Sequence, residues 1–257
     1  MTDPLVSIIL PVYNQADHIA DVVRQHEEIL SRLPARHETL LVVNGSRDAS
    51  LKVCQALVNV YPAVRVIESA RGGWGVAVKL GLSEARGEVL CFTNSARTSP
   101  QDLLLLLLYA VTYPNVVVTA NRKNRPGWQR KLGTLLYTFE CRFLFNLSTW
   151  DINGTPKVFP RRFDELLSLK CEDYLIDLEF MAVCRREGYP IIEVPIFASN
   201  SRYGGKSTTT LRVALKLYWD AYRFRRKFAP PPMATPSAEK QEVLQARVLT
   251  TRSSCDR

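Results

Sequence analysis

The stretch SIILPVYNQ, residues 7–15, decides the fold class, because it joins an uninterrupted apolar run to a polar turn. Apolar residues without alternation are typical of a strand that is covered on both faces of its sheet. Two later segments end in the same way. Residues 38–43 run into NGSRD (44–48), and residues 88–93 run into NSA (94–96). The three turns predict a common pocket at the ends of three strands.

Short apolar strands alternate with helical segments over the first half of the chain. The expected order is strand 5–12, helix 16–33, strand 38–43, helix 50–60, strand 64–68, helix 75–85, strand 88–93, helix 100–112 and strand 115–119. This order predicts an α/β fold with a mostly parallel, Rossmann-like sheet, helices on both faces and right-handed crossovers. Ligands of such sheets bind beyond the carboxyl ends of the strands, where all the polar turns lie.

The chain becomes more basic and less regular in its second half. The elements expected there are helix 129–147, strand 158–159, helix 161–169, helix 176–187, strand 191–197 and a basic helix 208–228. A proline-rich break at residues 229–232, followed by polar and charged residues, predicts a disordered tail over 229–257. We therefore expect one domain over residues 1–228, with a nucleotide-binding part at about 5–119 and an acceptor part at about 120–228.

The charge of the chain narrows the kinds of partner. The 257 residues carry a net charge of +9, with a pI of about 9.4. A basic chain favours an acidic partner, such as a phosphate-bearing ligand or an anionic lipid surface; an ordinary basic surface is the alternative. No nucleic-acid-binding module is recognisable in the sequence, so nucleic acid is not expected as a partner.

The cysteines, histidines and apolar runs predict a cytoplasmic location. The cysteines form no CxxC pair, and the histidines lack the spacing of a zinc site. The chain opens without the basic and apolar regions of a signal peptide. The leucine run at residues 103–108 is far shorter than the ~20 residues of a membrane span. Any membrane contact is therefore expected to be peripheral, at the inner face.

A series of short motifs occurs in order along the chain. They are PVYN (11–14), NGSRD (44–48), GWG (73–75), IIEVP (191–195), Arg202 and GGKS (204–207). Together they resemble glycosyltransferase family 2, and most closely its dolichyl- or polyprenyl-phosphate sugar synthases, over about residues 5–225. The resemblance implies a GT-A fold, a nucleotide-diphosphate sugar as donor, inversion at the sugar carbon and polyprenyl phosphate as acceptor.

The resemblance assigns the donor to the turns at the strand ends. The candidate nucleotide-sugar-binding residues are Pro11, Tyr13, Asn14, Asn44, Ser46, Asp48, Gly73, Gly75, Asn94 and Ala96. Short polar side chains in such turns can hold a base and a ribose, and glycines before a helix allow close approach of a phosphate. Ordinary turn formation is the alternative for Asn44, and helix capping is the alternative for Asp48.

The acidic residues of the family's metal site are replaced in this chain. Family members carry Asp-x-Asp after the fourth strand, and the residues at those positions are Asn94 and Ala96. Alanine cannot bind a metal ion, and asparagine offers an oxygen without charge. The sequence therefore names no metal ligand and disfavours Mg²⁺ or Mn²⁺ as a cofactor. Arg97 could cover the diphosphate charge instead, with an ordinary exposed arginine as the alternative.

Basic residues beyond the fifth strand are the candidate ligands of the acceptor phosphate and the donor diphosphate. By position they are Arg122, Arg130, Arg202 and Lys206. Arginine suits this role because its guanidinium forms forked, charge-assisted bonds to phosphate. A solvated basic loop is the alternative.

Asp151 and Asp177 are the candidate catalytic residues. The resemblance gives Asp151 the role of orienting a basic residue or the acceptor, and places Asp177 so that it faces the acceptor. A capped turn and a favourable helix dipole are the respective alternatives. Because the acidic motifs are missing, a second function remains open: a catalytically inactive relative that binds a nucleotide or a partner protein. The basic residues favour the enzyme.

Overall fold

A computed structural model describes residues 4–123, 128–197 and 211–228, with the backbone alone at residues 128–132, 134 and 211–217. The predicted site residues Arg202 and Lys206 and the predicted tail 229–257 lie outside these residues. The side chain of Arg130 lies outside them too. The chain divides into two compact units, Met1–Arg225 and Arg226–Arg257. The predicted split into a nucleotide-binding part and an acceptor part stays a prediction.

The described residues form one sheet and a set of helices around it. The strands are β1 (Leu5–Val12), β2 (Arg36–Asn44), β3 (Val64–Ser69), β4 (Val89–Phe92), β5 (Val117–Arg122), β6 (Lys157–Pro160) and β7 (Ile191–Ile196). The helices are α1 (Ile19–Leu30), α2 (Ser50–Val58), α3 (Trp74–Glu84), α4 (Pro100–Thr112), α5 (Trp128–Phe145), α6 (Ile176–Glu187) and α7 (Leu211–Lys227). A 3-10 turn spans Asp164–Leu167.

The order of the strands across the sheet is β3-β2-β1-β4-β6-β5-β7. All neighbouring strands are parallel except β6, which is antiparallel to both β4 and β5. Successive residues of β1 from Val6 to Val12 are buried, so both faces of the sheet are covered there. These observations confirm the predicted α/β fold with a mostly parallel sheet.

The helix expected over residues 161–169 is wrong, because the structure has the 3-10 turn in its place. The backbone N–H of Arg161 donates to the carbonyl of Glu88 at 2.8 Å. Its guanidinium donates to the carbonyls of Gly87 and Ala85, at 2.6 and 2.7 Å. These bonds hold residue 161 beside the start of β4, so a helix does not begin at this residue.

A buried carboxylate stabilises the amino-terminal edge of the sheet, opposite to the polar turns. Glu38 accepts hydrogen bonds from the Ser7 hydroxyl at 2.6 Å and the Arg86 backbone N–H at 2.7 Å. Its second oxygen accepts from the Arg65 guanidinium at 2.8 Å. Burial opposes ionisation of Glu38, but these donors and the charge of Arg65 lower its pKa below the ordinary value. The carboxylate therefore ties β1, β2 and β3 together.

Candidate active site

The turns after β1 and β2 are joined by hydrogen bonds. Asn14 has a positive φ of 49°, which asparagine tolerates better than most residues. Its backbone N–H donates to the Ser46 hydroxyl at 3.1 Å, and its side-chain oxygen accepts from the Arg47 backbone N–H at 2.8 Å. Tyr13 precedes it and is 53% exposed. The structure thus brings the predicted residues Tyr13, Asn14 and Ser46 to one edge of the sheet.

Asp48 forms a second connection between these turns. Its carboxylate accepts from the Ala16 N–H at 3.0 Å, the Ser50 N–H at 3.0 Å and the Ser50 hydroxyl at 2.5 Å. Slight burial opposes ionisation, but the Ser50 hydroxyl and the two backbone donors lower the pKa of Asp48. The Gln15 N–H donates in turn to the Ser50 hydroxyl at 2.8 Å. Asp48 therefore holds the turn after β1 against the start of α2. Binding of a ribose by Asp48 stays a prediction.

The glycine loop before α3 packs against the end of β2. The Asn44 side-chain amide donates to the carbonyl of Gly73 at 3.0 Å, and the Gly45 N–H donates to the Ser69 carbonyl at 2.8 Å. Gly45 has a φ of +63°, and a Cβ at this position would lie 2.8 Å from the backbone nitrogen of Gly72. The turn after β2 therefore requires glycine and fixes the loop beside it.

Gly75 needs its lack of a side chain for contact with the protein itself. A Cβ on Gly75 would lie 2.5 Å from the Cys171 carbonyl oxygen. Residues 170 and 171 are held by the buried carboxylate of Glu179, which accepts from the Cys171 N–H at 2.7 Å. The contact at Gly75 in the structure is thus with backbone, and its predicted approach to a phosphate stays a prediction.

The turn after β4 lies beside the turns after β1 and β2. Ser95, which was not among the predicted site residues, donates to the carbonyl of Pro11 at 3.2 Å and to the Gln15 side-chain oxygen at 2.8 Å. Asn94 accepts from the Ala96 backbone N–H at 3.1 Å, as in an Asx turn. The turns after β1, β2 and β4 therefore form one connected edge, as the strand pattern predicted.

The residues at the β4 turn do not fit a divalent cation. Mg²⁺ and Mn²⁺ prefer charged oxygen ligands, whereas the side-chain oxygen of Asn94 is uncharged and already accepts a backbone hydrogen bond, and Ala96 has no side-chain oxygen. Within residues 4–123, 128–197 and 211–228, no group of three or more His, Cys, Asp or Glu is arranged to hold a metal ion.

Arg122 and Asp151 form a forked ion pair at the carboxyl end of β5. The guanidinium donates through Nε and Nη2 to the two carboxylate oxygens, at 2.8 and 2.9 Å. Nη2 also donates to the Asn153 carbonyl at 2.7 Å. Burial opposes the charge of Arg122, but the bonds and charge of Asp151 raise its pKa. Asp151 thus holds the Arg122 guanidinium in a fixed direction, and its role in the reaction stays a prediction.

The loop that carries Asp151 is fixed from a neighbouring strand. Glu193 of β7 accepts from the backbone N–H groups of Trp150 and Asp151, at 2.8 and 3.2 Å. The carboxylate of Asp151 also accepts from the Arg122 backbone N–H at 3.1 Å. Because β5 is parallel to β7 and β6 begins beside them, this loop lies at the same edge of the sheet as the turns after β1, β2 and β4. We call these three turns the donor turns, since the nucleotide sugar is expected to bind there.

A buried chain of polar groups links the glycine loop to the Asp151 loop. Lys157, fully buried, donates to Asp177 at 2.8 Å and to the carbonyls of Ile152 and Gly154 at 3.0 and 2.8 Å. The other oxygen of Asp177 accepts from the Trp74 indole N–H at 3.1 Å. Asp177 thus bonds to two groups of the protein, which makes it suited to positioning. No role was predicted for Trp74, although it lies in the GWG motif, or for Lys157, because their shared partner, Asp177, lies on another element.

Sheet order and polar strand ends together define a GT-A nucleotide-sugar transferase fold. The family model described as glycosyl transferase family 2 matches residues 7–167. The chain therefore belongs to glycosyltransferase family 2, as its motifs indicated.

Curated relatives include lipid-phosphate sugar transferases. One is an undecaprenyl-phosphate 4-deoxy-4-formamido-L-arabinose transferase from Pseudomonas fluorescens, 30% identical over 81% of this chain and 61% of its own length. A transferase of the same name from Sodalis glossinidius is 23% identical over 85% of this chain and 68% of its own length. An uncharacterized glycosyltransferase from Bacillus subtilis, YkcC, is 25% identical over 64% and 52%. The chain spans roughly half to two thirds of the length of these relatives.

Solved structures share the fold at low sequence identity. Glucosyl-3-phosphoglycerate synthase from Mycobacterium tuberculosis, in complex with Mn²⁺, uridine diphosphate and glucosyl-3-phosphoglycerate, has a TM-score of 0.67 and 17% identity, covering 89% of this chain and 82% of its own. Mannosyl-3-phosphoglycerate synthase from Rubrobacter xylanophilus has a TM-score of 0.64 and 20% identity, covering 87% and 73%. Among the described residues, no helix combines the length and the apolar character that a membrane crossing requires.

Proposed function

We propose that the chain transfers a sugar from a nucleoside-diphosphate sugar to polyprenyl phosphate, with inversion at the sugar carbon. One observation carries the proposal: the donor turns and the Arg122–Asp151 pair lie at the same edge of the sheet, connected through Trp74, Asp177 and Lys157. The names of two curated relatives, both undecaprenyl-phosphate sugar transferases, support a polyprenyl-phosphate acceptor. A donor and an acceptor held at one edge can react directly.

In the proposed reaction, an oxygen of the acceptor phosphate attacks the anomeric carbon opposite the leaving group. The bond between that carbon and the diphosphate oxygen breaks, and the nucleoside diphosphate leaves with its electron pair. A phosphate oxygen is already anionic, so the step needs no general base. Asp151 and Asp177 therefore act as positioning residues, Asp151 for Arg122 and Asp177 for Trp74.

Positive charge near the leaving diphosphate is the second requirement of this reaction. Fixed donors aimed at developing negative charge stabilise a transition state strongly. The candidates are Arg97, Arg122, Arg130, Arg202 and Lys206, and their contact with phosphate is part of the proposal. The β4 turn does not fit a divalent cation, so no step is assigned to a metal ion. We place the reaction at the cytoplasmic face of a membrane, because the proposed acceptor is a lipid and the free cysteines suit a reducing compartment.

A second candidate function is that of an inactive relative that binds a nucleotide. The uncharged Asn94 and Ala96 at the β4 turn favour it. Both candidates predict donor binding, and the first alone predicts sugar transfer.

One experiment separates the two functions. The purified chain is incubated with radiolabelled UDP-, GDP- and dTDP-sugars and undecaprenyl phosphate in detergent, with and without EDTA. We expect labelled lipid from at least one donor, and an unchanged rate in EDTA. Donor binding without any labelled lipid would favour the inactive relative, and complete loss of transfer in EDTA would refute the reaction without a metal.

A further inference from the structure

Helix α5 has apolar residues on its outer face as well as on its inner face. Tyr137 and Cys141 face the protein and are 6% and 0% exposed, whereas Leu136, Phe139 and Phe143 are 53%, 53% and 89% exposed. Their spacing of three and four residues places them in one stripe. A surface helix ordinarily has polar residues on its outer face, and a contiguous exposed apolar patch marks an interaction site. We therefore expect this face of α5 to bind another molecular surface.

Trp150 extends the stripe beyond the end of α5. Its ring lies edge-on to that of Phe139 at 6.3 Å, and the Arg142 guanidinium lies 4.0 Å above it. The backbone of Trp150 is fixed, because its carbonyl accepts from Thr138 at 3.3 Å and its N–H donates to Glu193. The ring itself is half exposed. We call Leu136, Phe139, Phe143 and Trp150 the aromatic ridge.

The aromatic ridge ends beside the proposed acceptor site. Trp150 is adjacent in sequence to Asp151, whose carboxylate holds Arg122 at the edge of the sheet. A polyprenyl phosphate presents its phosphate at a bilayer surface, with its hydrocarbon chain below. A surface that approaches this lipid must be apolar next to the phosphate-binding residues, as the ridge is.

The charges around the ridge favour an anionic lipid surface over a second copy of the chain. Arg142 flanks the ridge, and Glu140 on the other side is partly buried. Helix α7 packs against α5 through the Tyr218 hydroxyl, which donates to the Gly133 carbonyl at 2.8 Å. It carries the exposed Trp219. Tryptophan and arginine are both enriched where proteins meet lipid headgroups. A symmetric dimer through the ridge would instead bring Arg142 of one copy near Arg142 of the other.

We propose that the aromatic ridge docks the protein on the anionic bilayer that contains its acceptor lipid. The proposal rests on the proposed function for the identity of that lipid. Docking itself depends on the ridge and needs neither donor nor transfer.

Vesicle flotation tests the docking directly. The full chain is mixed with phosphatidylcholine vesicles containing about one third phosphatidylglycerol. The ridge variant carries Leu136→Ser, Phe139→Ser and Phe143→Ser. A matched control carries Leu105→Ser, Tyr109→Ser and Tyr113→Ser, which removes three partly exposed apolar side chains from α4 and the residue after its end. Both variants are checked for folding by circular dichroism and for donor binding by thermal shift.

We expect the wild type and the α4 control to float with the vesicles, and the ridge variant to bind them about tenfold or more weakly. Equal flotation of the folded ridge variant and the wild type would overturn the proposal. So would a wild-type dimer in sedimentation that the ridge variant abolishes while its flotation is unchanged.

Transfer to undecaprenyl phosphate in detergent separates this proposal from the proposed function. Transfer by the ridge variant in detergent at the wild-type rate, together with lost flotation, supports docking. Ridge-dependent flotation of a chain that transfers no sugar would refute the proposed function and leave docking supported. Transfer in detergent by a wild-type chain that does not float would refute docking alone.

Discussion

At the scale of single residues, the two candidate catalytic carboxylates bind groups of the protein. Asp151 holds the guanidinium of Arg122 with two parallel bonds, and Asp177 lies between the Lys157 ammonium and the Trp74 indole. A carboxylate so occupied fixes the direction of its partner. For an acceptor that is already an anion, this positioning is the chemistry required.

We expect Asp151→Asn to lower kcat/KM for polyprenyl phosphate by about tenfold to a hundredfold, because an amide cannot accept both guanidinium bonds. Arg122→Lys should have a similar effect, since an ammonium cannot form the forked pair. Steady-state kinetics with varied acceptor measure both, and Asp21→Asn on the exposed surface of α1 is the control. Full activity of Arg122→Lys would contradict the role given to the pair.

Trp74→Phe removes the indole N–H and keeps an aromatic ring near Phe92, whose ring centroid lies 6.4 Å from that of Trp74. Since Trp74 follows the glycine loop directly, we expect the donor KM to rise roughly tenfold, as for one lost hydrogen bond. The kcat should stay close to the wild-type value. Kinetics with varied donor at several pH values test this. A drop in kcat with a shifted pH profile would instead indicate that Asp177 transfers a proton.

At the scale of secondary-structure elements, contacts between loops determine where the helices begin. α3 begins at Trp74, where the backbone of residues 171 and 172 lies against the glycines. The two acidic residues in the first turn of α6 hold this region from both sides: Asp177 bonds to Trp74, and Glu179 bonds to Lys170 and Cys171. The start of α3 is thus fixed by α6.

Gly75→Ala should destabilise the fold by roughly 1–3 kcal/mol, because the new Cβ would lie 2.5 Å from a backbone carbonyl oxygen. Gly133→Ala is the matched control within a helix. Among the described residues, no atom beyond its chain neighbours and the backbone of α5 itself lies within 4 Å of its Cβ position, so alanine should stabilise α5 by up to about 1 kcal/mol. Denaturant unfolding measures both. Equal stabilities of the two variants would argue against the packing described at Gly75.

The sequence predicts the local elements well and the contacts between distant ones poorly. Uninterrupted apolar runs identify β1, β2 and β4, because buried strands need no polar side. The antiparallel insertion of β6 depends on pairing with strands far away in sequence. The burial of Lys157 contradicts the usual exposure of lysine, and its partner Asp177 lies on another element. The sequence therefore predicted the turns at the carboxyl edge of the sheet. It did not predict the buried contacts of Asp177 with Trp74 and Lys157, which link the two sides of this edge.

At the scale of the whole molecule, the two edges of the sheet carry different sets of interacting polar residues. The carboxyl edge carries the turns and the Arg122–Asp151 pair. The amino edge carries Glu38 and its donors from Ser7, Arg65 and Arg86. A substitution at Glu38 is therefore expected to change stability and leave the proposed site intact.

Stability should fall in acid through Glu38. Its pKa in the fold is lower than its ordinary value of 4.5, so its stabilising effect is complete above that value and is lost as the pH drops through the lower, folded-state pKa. Glu38→Gln should therefore lower the free energy of unfolding at pH 7 by roughly 1.5–3 kcal/mol. The free energy of unfolding of this variant should also decrease less than that of the wild type as the pH falls below neutral. Urea unfolding between pH 7 and pH 3 measures this, and an unchanged pH dependence would contradict it.

We propose above all that the carboxyl edge of the sheet binds a nucleoside-diphosphate sugar with fixed hydrogen-bond donors and cations in place of a metal ion. Isothermal titration with a panel of nucleoside-diphosphate sugars in EDTA tests this most directly. We expect saturable binding at one site for at least one nucleotide base, weakened by salt because charge contributes. Heat that appears only after Mn²⁺ is added, or no binding for any base, would contradict the claim.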